Sequence, residues 1–267
     1  MKVKPLIYIP IVYLAAIMPR IFKRPDYSSL KGYYYAHRGL HDNNSDAPEN
    51  SMAAFRKAVD AGYGIELDVQ LTKDRIPVIF HDDTLKRVCG VDGYVKDYTY
   101  KELLQFNLCK SHEKIPKLKE FLNFVNGRVP LIIEFKFPEK PSVVCKTADQ
   151  IIQNYNGAYC IESFHPLAVR WYKTHHPEVI RGQLASNFKK ASGKESPPEG
   201  LVHFLITNFL CRPDFIAYDH RYKNNISRLL CRYLFRSLSI SWTIRSQKEF
   251  DACKNDYDLC IFEGFQP

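Results

Sequence analysis

Gly64-Ile65-Glu66-Leu67-Asp68-Val69-Gln70-Leu71 alternates without a break. On a pleated strand Ile65, Leu67, Val69 and Leu71 share one face, and Glu66, Asp68 and Gln70 share the other. The acids then stand either in water at a sheet edge or in a shared interior. A second stretch, Val129 to Lys136, favours the interior. Leu131, Ile133 and Phe135 alternate with Ile132, Glu134 and Lys136, so another carboxylate stands at the carboxyl end of an apolar strand. Three carboxylates from two strand ends are how a barrel builds a site for a hard cation.

Working outward, Tyr33 to His37 reads as a short strand closed by Arg38-Gly39. A polar loop, His41 to Glu49, leads to a helix that Asn50 or Ser51 can cap and Gly62 ends. After the acidic strand, Thr72 to Arg75 is too short for a helical crossover. Pro77 to His81 is therefore expected to fold back as an antiparallel arm that brings His81 to the level of Asp68. A long excursion runs from Asp82 to Glu113, with a helix around Tyr100 to Phe106, and another helix covers Lys117 to Asn126. Beyond Lys136 helices and strands alternate: helix 142–154, strand 159–163, helix 166–174, strand 179–184, helix 201–210, strand 214–218, helix 227–235, strand 239–243, helix 247–254 and strand 259–262. Without the arm this makes eight strands with helices between them, the pattern of a (β/α)8 TIM barrel with an inserted segment after His81. A doubly wound sheet is the alternative, but no Gly-rich phosphate loop follows the first strand.

The chain of 267 residues is 45% hydrophobic, enough for one large core. Residues 1–30 form an apolar amino-terminal segment and residues 31–267 the barrel domain. Pro5 to Phe22 is interrupted only by Arg20 and flanked by Lys2, Lys4, Lys23 and Arg24. As one helix it is marginal for a bilayer, which needs roughly 20 apolar residues. It is read as a membrane anchor or interfacial segment, with packing on the barrel as the alternative and the cytoplasm as the compartment otherwise. The net charge of +9 suits phosphates and anionic surfaces. It is scattered, without a basic stripe between stacking aromatics, which argues against nucleic acid. The eight cysteines form no C-x-x-C pair, so a zinc site is not expected.

The strand ends offer His37-Arg38, Glu66, Asp68, Glu134, Lys136, Ser163-Phe164 and Trp242, with His81 ending the arm. Each has a plain structural reading when taken alone: core histidines, a surface ion pair of Glu134 with Lys136, a packed Trp242. Taken together they resemble the glycerophosphodiester phosphodiesterase family of PLC-like TIM barrels. The matching motifs are His37-Arg38-Gly39, Pro48-Glu49-Asn50-Ser51, Glu66-Leu67-Asp68, His81-Asp82, Glu134-Phe135-Lys136, Ser163-Phe164 and Trp242-Thr243, in family order. The resemblance implies hydrolysis of glycerophosphodiesters to glycerol 3-phosphate and an alcohol. It implies Glu66, Asp68 and Glu134 as ligands of Mg²⁺ or Ca²⁺, and His37 and His81 as the general acid/base pair. Arg38 and Lys136 would hold the phosphodiester, Trp242 would pack on the glycerol, and the segment after His81 would roof the site. A lysophospholipase D-like action on lipids and a catalytically dead binding domain are the competing readings.

The sequence departs from that pattern in two places. The stretch after Phe262 has no room for the final helix common in the family, so the amino-terminal segment is expected to cover that flank or to dock it on a membrane. Arg245 stands where asparagine often follows the Trp-Thr motif.

Overall fold

The computed structural model describes residues 8–137, 140–194 and 196–267. The alternation in Gly64–Leu71 becomes β2, and all of its residues are buried. Its greasy face packs outward under helices, where Leu67, Val69, Phe121, Ile133 and Val144 share one cluster. Burying each such side chain contributes about 1.5–3 kcal/mol. The acidic face points into the lumen.

Strand β1 (Tyr35–His37) pairs in parallel with both β2 and the last strand, β9 (Leu259–Phe262), which closes the cylinder. Strand β3 (Pro77–Ile79) is the antiparallel arm on β2. The other staves are β4 (Leu131–Phe135), β5 (Tyr159–Ser163), β6 (Arg181–Ala185), β7 (Phe215–Asp219) and β8 (Leu238–Ile244), all parallel in sequence order. The result is a closed eight-stranded parallel barrel with the arm outside it. Tyr35, Ile132, Phe215, Leu238 and Ile240 fill the floor of the lumen.

Helix α1 (Tyr8–Ile17) precedes the barrel and α2 (Met52–Asp60) follows β1. Ser51, not Asn50, caps α2: its hydroxyl accepts from the Ala54 N–H at 3.1 Å. The excursion after the arm holds α3 (Lys86–Cys89) and α4 (Tyr100–Leu103), and α5 (Leu118–Val125) leads into β4. The excursion has its own small core, in which Phe80, Leu85, Val88, Val95 and Leu103 are buried. Between later staves lie α6 (Pro141–Ile152), α7 (Pro166–His175), α8 (Phe188–Ser192), α9 (Pro197–His203), α10 (Asn208–Cys211), α11 (Ile226–Leu229) and α12 (Gln247–Cys253). The expected helix over 201–210 is broken into α9 and α10 at Leu205, which takes a positive φ of 55°.

The described part of the amino-terminal segment packs on the barrel. Among the described residues no helix is long and apolar enough to cross a membrane. Helix α1 has 10 residues, which is about 15 Å of helix; residues 5–7 of the expected segment lie outside the described residues. Ile17 is wholly buried against Ala185, Val202, Ile216 and Tyr218. The last turn is held by side chains of the barrel domain: Asn208 donates to the Ile17 carbonyl at 2.7 Å, and Arg212 donates to those of Ala15 and Met18. Orphan carbonyls at a helix end need such donors. The helix therefore covers the flank of β6 and β7, not the flank of the last strand. Its amino-terminal half stands open, with Ile9, Ile11 and Val12 exposed.

Candidate active site

The parallel register sets the site. Pairing puts His37 beside Glu66, Asp68 beside Glu134, and Glu134 beside Glu162. Side chains of like parity on neighbouring staves point into the same lumen, so the carboxylates meet. One oxygen from each of Glu66, Asp68 and Glu134 lies within 4.8 Å of the others, and all three residues are buried. A cavity of about 140 Å³ opens above them. Of the eight residues expected at the site, seven line it: His37, Arg38, Glu66, His81, Glu134, Lys136 and Trp242. Asp68 sits beneath, fully enclosed.

The electrostatics are those of crowded, buried carboxylates. Burial raises the Glu66 carboxyl well above the usual range, and Asp68 and Glu134 push it further. Burial likewise raises Glu134, with Lys136 opposing. Asp68 goes the other way: burial alone would raise it, but Lys136 and Arg38 hold it below the normal range. The Lys136 ammonium lies 2.6 Å from Glu134 Oε1 and 3.1 Å from Asp68 Oδ1. Yet those two buried oxygens have no partner in hydrogen-bond geometry. Oxygen donors that are buried, mutually repelling and incompletely satisfied fit a hard divalent cation. Asn50, the residue before the α2 cap, donates to Asp68 Oδ2 at 2.9 Å and fixes that carboxylate.

Both imidazoles are held from behind by carboxylates. His37 Nδ1 meets Glu263 Oε2 in a short contact, and His81 Nδ1 lies 2.6 Å from Asp82 Oδ1. His37 Nε2 then turns to the cluster, 3.9 Å from Glu66 Oε2. Burial, helped by Arg38 and opposed by Glu263, lowers the His37 pKa to about 4. Glu263 is held down at about 2: burial would raise it, but the bond to His37 and the nearby Arg245 outweigh that. Arg245 reaches Glu263 Oε1 at 2.5 Å, so this cation buttresses the His37 carboxylate.

His81 comes from the arm. Its backbone is pinned by Gln70, whose Nε2 lies 2.9, 3.0 and 2.7 Å from the carbonyl oxygens of Phe80, His81 and Asp82. None of residues 82–130, the inserted segment expected to roof the site, lines the cavity. That segment instead supplies Arg87, which binds Asp82 and Glu49 with two nitrogens each, at 2.6–2.8 Å. Glu49 also accepts from Arg38 Nη1 at 2.7 Å. One buried carboxylate thus orients Arg38 directly and His81 through Arg87 and Asp82. Ser163 is structural: its hydroxyl donates to the Phe135 carbonyl at 3.0 Å.

Sequence reasoning assigned no role to Glu263, Glu49, Arg87 or Glu162. Glu162 lines the cavity, and burial raises its carboxyl well above the usual range. The signal that marks Glu134, a carboxylate near the end of an apolar strand, also marks Glu162 and Glu263.

A closed parallel barrel with a three-carboxylate cluster, two carboxylate-backed imidazoles and an Arg/Lys pair at its carboxyl rim has the site architecture of a TIM-barrel enzyme. The chain matches the glycerophosphoryl diester phosphodiesterase family over residues 37–209, and it belongs to that family. A glycerophosphodiester phosphodiesterase of Caldanaerobacter subterraneus subsp. tengcongensis is 33% identical over 168 residues, which cover 58% of this chain and 67% of that one. One from Bacillus altitudinis is 37% identical over 143 residues, 49% of this chain and 57% of that one. The chain thus aligns with about two thirds or less of the length of these two relatives. The fold matches that of an Oleispira antarctica phosphodiesterase solved with the product sn-glycerol-3-phosphate, with a TM-score of 0.71 at 22% identity, covering 88% of this chain and 94% of that one.

Proposed function

We infer that this chain hydrolyses glycerophosphodiesters to glycerol 3-phosphate and an alcohol, using Mg²⁺ or Ca²⁺ held by Glu66, Asp68 and Glu134. The carrying observation is the three-carboxylate cluster beneath two imidazoles that carboxylates hold by Nδ1. When bound, the cation supplies charge to offset what develops on the phosphoryl oxygens. Arg38 and Lys136 add fixed positive charge at the same oxygens. With Nδ1 engaged, the Nε2 atoms of His37 and His81 are free to take a proton from the attacking hydroxyl and return one to the leaving alcohol. Trp242 gives the glycerol a flat wall. The Oleispira antarctica complex with glycerol 3-phosphate supports this substrate class.

Purified protein with glycerophosphocholine and either metal should release glycerol 3-phosphate. Chelator should stop release, and His37→Ala should abolish it. Binding of the diester without turnover under both metals would favour a catalytically dead domain instead.

The exposed amino-terminal half of α1 supports an interfacial role: Ile9, Ile11 and Val12 are 58–66% exposed, on a chain of net charge +9. We place this end of the helix on an anionic lipid surface without crossing it. Co-sedimentation with anionic vesicles, lost in Ile9→Asp/Val12→Asp, tests it; equal binding by both proteins refutes it.

A further inference from the structure

A basic cavity lies at the other end of the barrel. It has a volume of about 310 Å³ and is walled by Tyr27, Lys31, Arg232, Tyr233, Arg236 and Asp258, with the start of β8 as its floor. Lys31 stands shortly before β1, Arg236 before β8 and Asp258 directly before β9. All three sit at amino ends of staves, so the cavity opens on the rim opposite the carboxylate cluster. Barrel chemistry gathers at the carboxyl rim, while the amino rim serves stability. Charged groups collected at that rim need a separate reason.

The charges do not cancel. Asp258 is already committed: its Oδ2 accepts from Arg232 Nη1 at 3.0 Å and from the Ser239 N–H at 2.8 Å. Asp26 feels the Lys31 charge, yet its oxygens accept from the Ser28 hydroxyl and N–H at 2.6 and 2.9 Å. Among the described residues neither Lys31 nor Arg236 forms an ion pair. Three cations against one carboxylate leave the cavity with a surplus of two positive charges. Two lining residues also hold a buried donor without a partner, the Tyr27 hydroxyl and Arg232 Nε. Buried donors left unpaired are costly, and an oxyanion brings the acceptors they lack. Arg236 is steadied from behind. Its φ of 52° lies in the left-handed region that a non-Gly residue seldom takes. Arg24 fixes that turn by donating to the Arg236 carbonyl at 2.6 Å and, in a short contact, to the Phe235 carbonyl. Such a conformation persists only where its surroundings enforce it, and it sets where the Arg236 side chain departs.

We propose that this cavity binds a phosphate monoester or inorganic phosphate, an anion carrying roughly 1.5 to 2 negative charges at neutral pH. That charge matches the surplus. The donor forks of Arg232 and Arg236 suit phosphoryl oxygens, and the Lys31 ammonium adds a point charge. Ligand cavities span roughly 300–1,000 Å³, so this one is sized for a head group and not for a long chain. The phosphoryl group is either free in solution or the terminal group of an anionic lipid; the chemistry that holds it is the same. No bond is made or broken here, and the site is independent of the phosphodiesterase reading.

The test reads binding alone. Full-length protein in chelator is titrated calorimetrically with inorganic phosphate. It is separately sedimented with phosphatidate vesicles, with phosphatidylglycerol vesicles of equal charge as the diester control. Lys31→Gln/Arg236→Gln removes two exposed cations from the cavity, and Lys101→Gln/Lys146→Gln removes the same charge from exposed positions elsewhere. The first variant should weaken binding at least tenfold and the second less than twofold, with melting midpoints in phosphate-free buffer equal to wild type. Lys31→Arg/Arg236→Lys should keep most of the binding. Should Arg236→Gln melt early, Lys31→Gln alone decides, with a threefold loss expected. A loss in the phosphate titration assigns a free ligand, and a loss confined to phosphatidate vesicles assigns a lipid head group; either supports the cavity. No saturable binding in either arm overturns it. So does wild-type binding by Lys31→Gln/Arg236→Gln, which moves the anion to the carboxyl rim, or an equal loss in both Gln variants, which reduces the effect to net charge.

Discussion

Replacing Glu49 by glutamine should cost about 3 kcal/mol at neutral pH and far less in acid. Glu49 is 4% exposed, and its carboxylate accepts from Arg38, from both Arg87 nitrogens and from Asn43 at 2.6–2.8 Å. Burial alone would raise its pKa, but Arg87, Arg38 and Asn43 outweigh that and hold it at about 2, against 4.5 for the free side chain. A carboxyl whose folded pKa is depressed contributes stability that is complete above its unfolded pKa. That stability is lost as pH falls through the folded value. At about 1.4 kcal/mol per unit the contribution is about 3 kcal/mol at pH 7, roughly 1 near pH 3 and close to nothing below pH 2. The assay is urea unfolding of wild type and Glu49→Gln across that range. The difference between the two proteins isolates this one carboxylate from every other acid that titrates. A gap that stays constant from pH 7 to pH 3 would refute the reasoning, because the interaction would not then depend on the charge.

Glu263→Gln should lower kcat on glycerophosphocholine by about 10²-fold or more, since His37 loses the carboxylate that aims its ring; wild-type turnover would remove Glu263 from the mechanism. Lys136→Met should destabilise the metal-free protein by about 3 kcal/mol, because it strips the partner from two buried carboxylates. Saturating Mg²⁺ or Ca²⁺ should close that gap, which thermal melts with and without metal will read; an equal gap in both would contradict a cation cage. Ile17→Ala should cost about 2–5 kcal/mol from the cavity it leaves against β6 and β7. An unchanged denaturation midpoint would show that α1 is not docked there.

The barrel was legible because its strands are short and strictly patterned. Gly64–Leu71 shows both faces in eight residues, and the bounds of β2, β5 and β9 coincide with those expected from the sequence. Glu66, Asp68 and Glu134 come together with His37 because strand ends in a parallel barrel share one rim. Three things could not be read. Glu263 and His37 are 226 residues apart, and only closure of β9 on β1 makes them neighbours. Arg87 lies in the excursion, where no periodicity says which way a side chain turns. The amino-terminal segment is apolar on every side, so its pattern could not distinguish lipid from protein. Asn208 and Arg212, which hold its last turn, carry no signal of that task in their own neighbourhood.

Gln70 offers a last consequence. Its single amide gathers three successive carbonyls at the point where the arm leaves the barrel. The backbone at His81 is therefore pinned from β2, upstream of the excursion, while Arg87 within the excursion steadies the ring through Asp82. Surgery on the loop beyond Arg87 should leave the chemistry standing, so that stretch is where new decoration could be grafted, by nature or at the bench, onto an otherwise fixed workshop.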